Sequence, residues 1–123
     1  MNTQEFLNRT RKIKYGEYQE CRPRIICNDG FNMSVQAGNG IYSNPRLSGE
    51  YNYLSVEIGF PSEEETLINE YAETPNDWTG TVYAYTPIEL VDEVIEKHGG
   101  INIDKTFKDK EERWKNDLIY LFQ

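Results

Sequence analysis

At 123 residues the chain has the length of one domain, and dividing it would leave pieces too small to bury stable cores without disulfides or metals. Exchanging the 9 tyrosines for the 9 glycines in the 37% hydrophobic share leaves an apolar content below the roughly 45–50% of average globular chains, so the core is thin and its tyrosines partly wet. Thirteen basic against 21 acidic residues give a net charge of -8, which argues against bulk attraction to nucleic acid or to an anionic membrane.

No run of about 18 apolar residues exists, so no membrane span is expected. The segment Met1-Asn2-Thr3-Gln4-Glu5 lacks an apolar signal core, which sets the expectation of a cytoplasmic protein. Cys21 and Cys27 flank a stretch that reads as a strand, which would hold them about 20 Å apart, too far for a disulfide. Two cysteines and one histidine at unrelated spacings do not make a zinc site, and neither a metal nor a cofactor is expected. Charge is uneven along the chain: residues 25–103 carry only Arg46 and Lys97 against 13 carboxylates, whereas residues 1–24 hold six basic and three acidic groups.

The spacing of Phe6, Leu7, Thr10 and Ile13 predicts an amphipathic helix from Thr3 to about Lys14, within an N-terminal arm of residues 1–20. Arg22 to Cys27 reads as a strand, Asn28-Asp29-Gly30 as a tight turn, and Phe31 to Ala37 as an alternating strand. That alternation buries Phe31, Met33, Val35 and Ala37 and turns Asn32, Ser34 and Gln36 to the other face, open to a ligand. After turns around Ile41 and Tyr42, a third strand over Tyr51 to Phe60 places Leu54, Val56, Ile58 and Phe60 on its apolar side. Ser62 and Glu65 form a capping box for a helix whose stripe is Leu67, Ile68, Tyr71 and Ala72. Gly80 to Tyr85 is the fourth strand. Thr86-Pro87-Ile88-Glu89 is a second capping box, with Ile88, Val91, Val94 and Ile95 as the core stripe and Gly99 as the terminator. A last helix over residues 109–122 spaces Trp114, Leu118 and Leu121 or Phe122 on one face, within a C-terminal segment of residues 104–123. The expected fold is a single α+β domain, an about four-stranded, mainly antiparallel sheet packed with three to four helices.

His98 is the sole histidine and the natural acid-base candidate, yet its position before two glycines is explained by helix termination. An enzyme would need an acid-base pair drawn from Asp29, Glu57 or His98, and no nucleophile motif accompanies them. A non-enzymatic role is therefore expected. Arg22, Arg24, Ser34, Gln36, Tyr42 and Arg46 form a candidate ligand site, since guanidinium forks with amide and hydroxyl groups suit a phosphate or a base edge. Pairing of these arginines with Glu57 across the sheet is the plain alternative. Glu63, Glu64, Glu65, Glu70 and Glu73 with Asp92, Glu93 and Glu96 form a candidate acidic partner-binding surface.

The stretch Ile26 to Ala37, Tyr42-Ser43-Asn44-Pro45-Arg46, Val56 to Ser62, Tyr71-Ala72-Glu73, Thr81 to Tyr85 and Pro87 to Ile101 resembles a family of small proteins from bacteriophages and gut bacteria, over about residues 22–101. That resemblance implies a mobile-element origin and assigns no catalytic or binding residue. Small acidic phage proteins of this kind resemble inhibitors of host defence, anti-CRISPR-like proteins included. Two partners are then expected in a host cytoplasm: a nucleic-acid-binding defence protein whose basic groove meets the acidic surface, or a nucleotide held by the arginine-lined face, completed by a second subunit. The alternative is a structural or accessory homo-oligomer of a phage or mobile element, joined through its tyrosine-rich sheet face.

Overall fold

A computed structural model describes residues 1–11 and 21–107, and the expected C-terminal helix over 109–122 lies outside them; the first helix, expected to reach about Lys14, ends at Arg9 with Thr10 as its C-cap. The elements in order are α1 (Thr3–Arg9), β1 (Ile25–Ile26), β2 (Asn32–Gln36), β3 (Ser55–Gly59), a 3-10 helix (Thr66–Tyr71), β4 (Val82–Pro87) and α2 (Ile88–Lys97). The strands form one antiparallel sheet in the order β1-β2-β3-β4, a small α+β fold as its patterning predicts.

Each pairing follows from a short local signal. Gly30 takes φ +96 in the turn that closes β1 on β2, and its N–H donates to the Cys27 carbonyl at 3.0 Å. Only glycine holds that backbone without strain. Alternation in β2 is as read: Phe31, Met33, Val35 and Ala37 are buried, and Asn32, Ser34 and Gln36 lie half-buried on the opposite face. Val56 and Ile58 of β3 join the same core, together with Phe6 and Leu7 of α1, Tyr83 of β4 and Val91, Val94 and Ile95 of α2. Among the described residues, no helix is long and apolar enough to cross a membrane.

Four local expectations are corrected. The third strand covers only Ser55–Gly59, so alternation does not extend to its ends: Leu54 and Phe60 are exposed and Tyr53 is buried. Tyr53 instead turns inward and donates its hydroxyl to the Leu47 carbonyl at 2.7 Å. Ser62 does not cap a helix, because its hydroxyl accepts the Asn32 N–H at 3.0 Å across to β2. Glu65 is itself the cap: its carboxylate accepts the Leu67 N–H at 3.0 Å, and the segment that follows winds as a 3-10 helix. Leu67, expected in the apolar stripe, is exposed, and Ile68 alone of that stripe is fully buried.

The second capping box also fails, since β4 runs on to Pro87 and Thr86 spends its hydroxyl on the Tyr83 carbonyl. Pro87 is the N-cap of α2 and no side chain caps that helix. At its other end Gly99 and Gly100 both take φ +88, as a left-handed termination requires. Between Val56↔Thr86 and Ile58↔Tyr83 the ladder slips, two steps on β3 facing three on β4. Tyr85 absorbs the extra residue at φ +50 and donates its N–H to the Tyr42 carbonyl rather than to β3.

Candidate functional site

The expected arginine-lined site does not assemble as a ligand pocket. Arg22 is only 3% exposed, and its guanidinium is committed to the chain: Nε donates to the Leu7 carbonyl at 3.0 Å and Nη1 to the Ala37 carbonyl at 2.8 Å. Pro23 cannot donate a ladder hydrogen bond, and the Gln36 side chain takes over that task. Its Oε1 accepts the Arg22 N–H and its Nε2 donates to the Arg22 carbonyl, each at 2.9 Å, and Nε2 also reaches Ser34 Oγ at 3.1 Å. Arg22 thus ties α1 to the end of β2, a correction to its reading as a ligand arginine. Arg24 lies on the surface and donates to Asn32 Oδ1 and to the Phe60 carbonyl. Tyr42 and Arg46 sit elsewhere, over the β4 bulge: the Arg46 guanidinium carbon lies 5.2 Å from the Tyr42 ring centre, and the Tyr42 and Tyr85 rings are 5.9 Å apart. Glu57 joins that group by accepting the Tyr42 N–H at 3.0 Å, so it pairs with backbone there and not with the acid-base candidates.

The acidic candidates divide into two classes. Glu63, Glu64, Glu70 and Glu73 are exposed around the 3-10 helix, and Glu93 and Glu96 are exposed on α2. At about 100° per residue, Glu89, Glu93 and Glu96 fall within about 60° of one another, opposite the buried Val91, Val94 and Ile95. The 3-10 helix packs against α2, so these carboxylates belong to two neighbouring elements. Asp92 is half-buried and committed, accepting both the Thr3 N–H at 2.8 Å and the Thr3 hydroxyl at 2.5 Å. An open depression of about 550 Å³ beside it is lined by Asp92 and Glu96 together with Met1, Asn2, Ile95, Gly99 and Gly100.

Glu65 is the correction in this group. It is 1% exposed and faces inward, where it completes a charged cluster with buried His98 and half-exposed Lys97 and Asp29. Its Oε1 lies 2.7 Å from His98 Nε2 and its Oε2 lies 3.0 Å from Lys97 Nζ. The other ring nitrogen of His98, Nδ1, lies 2.6 Å from Asp29 Oδ2, and Asp29 Oδ1 accepts the Phe31 N–H at 2.9 Å. Phe31 stacks on the imidazole with ring centres 4.1 Å apart and planes 12° from parallel. The sequence offers Asp29, Glu57 and His98 as members of an acid-base pair and Glu65 as a capping-box and surface acid; the structure brings Asp29 to His98, leaves Glu57 apart and adds Glu65. The one signal that could have joined them is that a capping Glu and a helix-terminal His belong to elements that pack together.

The cluster is electrostatically self-consistent. Burial works against a charged His98, but the hydrogen bonds and charges of Asp29 and Glu65 outweigh it and raise its pKa above the ordinary 6.5. Burial likewise opposes a charged Glu65, yet the Leu67 N–H, Lys97 and His98 hold its carboxyl below the ordinary 4.5. The Phe31 N–H and then His98 hold Asp29 below the ordinary 3.8. As the imidazolium, donating from both ring nitrogens to carboxylates, His98 has no lone pair for a metal or for accepting a substrate proton. Cys27 is no better as a nucleophile, since burial and then the Asp29 charge push its thiol up to about 11. Cys21 and Cys27 are both free, although the strand expected from Arg22 to Cys27 is shortened to Ile25–Ile26, Pro23 having no N–H for the ladder.

A pH dependence of stability follows. A raised His98 pKa contributes stability that is fully present below 6.5 and is lost as pH rises through the folded-state value. The lowered carboxyls contribute stability present above 4.5 and lost as pH falls through their folded-state values. Thermal melts are thus expected to peak between about pH 5 and 6.5 and to decline on both sides. His98→Gln should flatten the alkaline limb, and an unchanged alkaline limb in that variant would contradict the assignment.

Comparison of the chain with protein-family models, with curated proteins and with solved structures found no match.

Proposed function

We propose that the protein is a non-enzymatic binding protein of phage type, an inhibitor of host defence that occupies the nucleic-acid site of a basic host protein with its acidic surface. The observation that carries this reading is the pairing of the 3-10 helix with α2. Residues 47–96 contain no lysine or arginine against 12 carboxylates, and that stretch supplies both elements. Exposed carboxylates on two packed elements produce a field of one sign, which steers a basic groove and raises association rates by about 10–10³-fold at low salt. Glu65 and Asp92 leave the binding surface and serve it from beneath, Glu65 by tying the 3-10 helix to the end of α2 and Asp92 by tying α2 to α1. The nucleotide-binding version draws less support, because Arg22 is spent on backbone carbonyls and Tyr42 and Arg46 lie over the β4 bulge, apart from Arg24.

The test is charge reversal on the exposed acids alone. Glu63→Lys, Glu64→Lys, Glu70→Lys and Glu73→Lys together should leave the protein folded with a cooperative melt, because surface substitutions of this kind each fall within about 0.5 kcal/mol and so cost at most about 2 kcal/mol together. Capture of a basic partner from a bacterial lysate should be lost at the same time. Undiminished capture by a folded quadruple variant would remove the acidic surface from the account.

A further inference from the structure

We propose that His98 is a proton-operated latch: as the doubly hydrogen-bonded imidazolium it holds the 28–30 turn and the start of the 3-10 helix to the end of α2, and loss of its Nδ1 proton releases the Asp29 side chain from the ring and loosens that turn. The proposal concerns the fold and does not depend on the acidic surface binding a partner.

Two elements hydrogen-bond the ring: the turn through Asp29, and the start of the 3-10 helix through Glu65, which also holds Lys97 of α2 itself. The Cys27 thiol, uncharged, lies close enough to Asp29 to feel its charge. Phe31 covers one face of the imidazole. A neutral imidazole carries a single N–H, so it can donate to only one of its two carboxylates. At 2.6 and 2.7 Å, the undonated contact would set a lone pair against a carboxylate oxygen.

Which contact survives is decided by solvent access. The Glu65 side chain is 1% exposed, and its remaining partners are Lys97 and the Leu67 N–H. Without the His98 N–H it would keep a buried charge poorly compensated, the costlier outcome. The Asp29 side chain is 49% exposed and keeps the Phe31 N–H, so water can replace the imidazole there. The proton therefore leaves from Nδ1 to solvent on the Asp29 side, and Nε2 remains protonated against Glu65. The turn is then held by the Asn28 N–H to the Gly100 carbonyl, the Asp29 N–H to the His98 carbonyl and Asn28 Nδ2 to the Gly99 carbonyl. The imidazolium charge is lost and Asp29 becomes a half-exposed carboxylate held only by the Phe31 N–H, so the surface near the end of α2 grows more acidic as pH rises.

As the chain has one histidine, selective 15N labelling of histidine reports this ring alone. In a pH titration both nitrogens are expected to be protonated on the acid side, and Nδ1 alone to lose its proton on the alkaline side. Asp29→Asn, at an exposed position, should lower the titration midpoint. Amide exchange at Asp29 to Phe31, corrected for base catalysis, should rise about tenfold through the transition relative to Val35, the factor set by one lost charge-assisted hydrogen bond. Loss of the Nε2 proton first, a midpoint that Asp29→Asn leaves in place, or flat corrected exchange would each overturn the latch.

Discussion

Glu65→Ala is expected to destabilise the protein by about 3–5 kcal/mol, the range for removing one partner from a buried ion pair. The substitution withdraws the acceptor of three donors at once: the Leu67 N–H, Lys97 Nζ and His98 Nε2. Lys97 is 49% exposed and can turn to water, whereas the His98 ring is enclosed beneath Phe31 and retains only Asp29. The 3-10 helix also loses its cap, which alone is worth about 1 kcal/mol. Glu65→Gln keeps the shape and an acceptor oxygen, so it should cost less than the alanine change. Denaturant unfolding gives both values, and a loss below about 1 kcal/mol for Glu65→Ala, the range of a surface pair, would mean that the cluster does not hold these elements together.

Arg22→Ala is the second large effect expected, a loss of about 3 kcal/mol from two charge-assisted hydrogen bonds in a buried setting. The Leu7 and Ala37 carbonyls would be left without the guanidinium, and the tie between α1 and the end of β2 would be cut. Arg24→Ala is the informative comparison. Its side chain is exposed and bonds to Asn32 and the Phe60 carbonyl, so its removal should cost about 1 kcal/mol. A ligand site built on both arginines predicts the opposite pattern, with little stability lost from either. Chemical denaturation of the two variants side by side separates a structural Arg22 from a ligand-binding one.

The contrast between these arginines marks where sequence reading runs out. Period-two alternation located β2 and its buried face, and the Asn28-Asp29-Gly30 turn located the hairpin, because both are local and fixed by backbone geometry. The core stripe of α2 and its glycine terminators were legible for the same reason. Capping boxes were not, since Ser62, Thr86 and Glu65 each have a hydroxyl or carboxylate that bonds whichever partner the tertiary fold brings near. Ser62 found Asn32 of β2, Thr86 stayed in a strand, and Glu65 turned inward. His98 lies 69 residues from Asp29 and 33 from Glu65, distances over which no periodicity carries information. The acidic surface was legible in outline because net charge along a segment needs no tertiary knowledge, whereas the removal of Glu65 and Asp92 from it depended on packing.

The measurement that bears most directly on the proposed function is affinity for a captured basic partner as salt is raised, with duplex DNA present as competitor. An acidic surface seated in a nucleic-acid groove predicts steep weakening with salt, because exposed charges are screened within a Debye length of about 8 Å at physiological ionic strength. It also predicts displacement by DNA and no binding by the quadruple lysine variant. Binding that is indifferent to salt and to DNA, or recovery of only a nucleotide or of further copies of the same chain, would contradict the account.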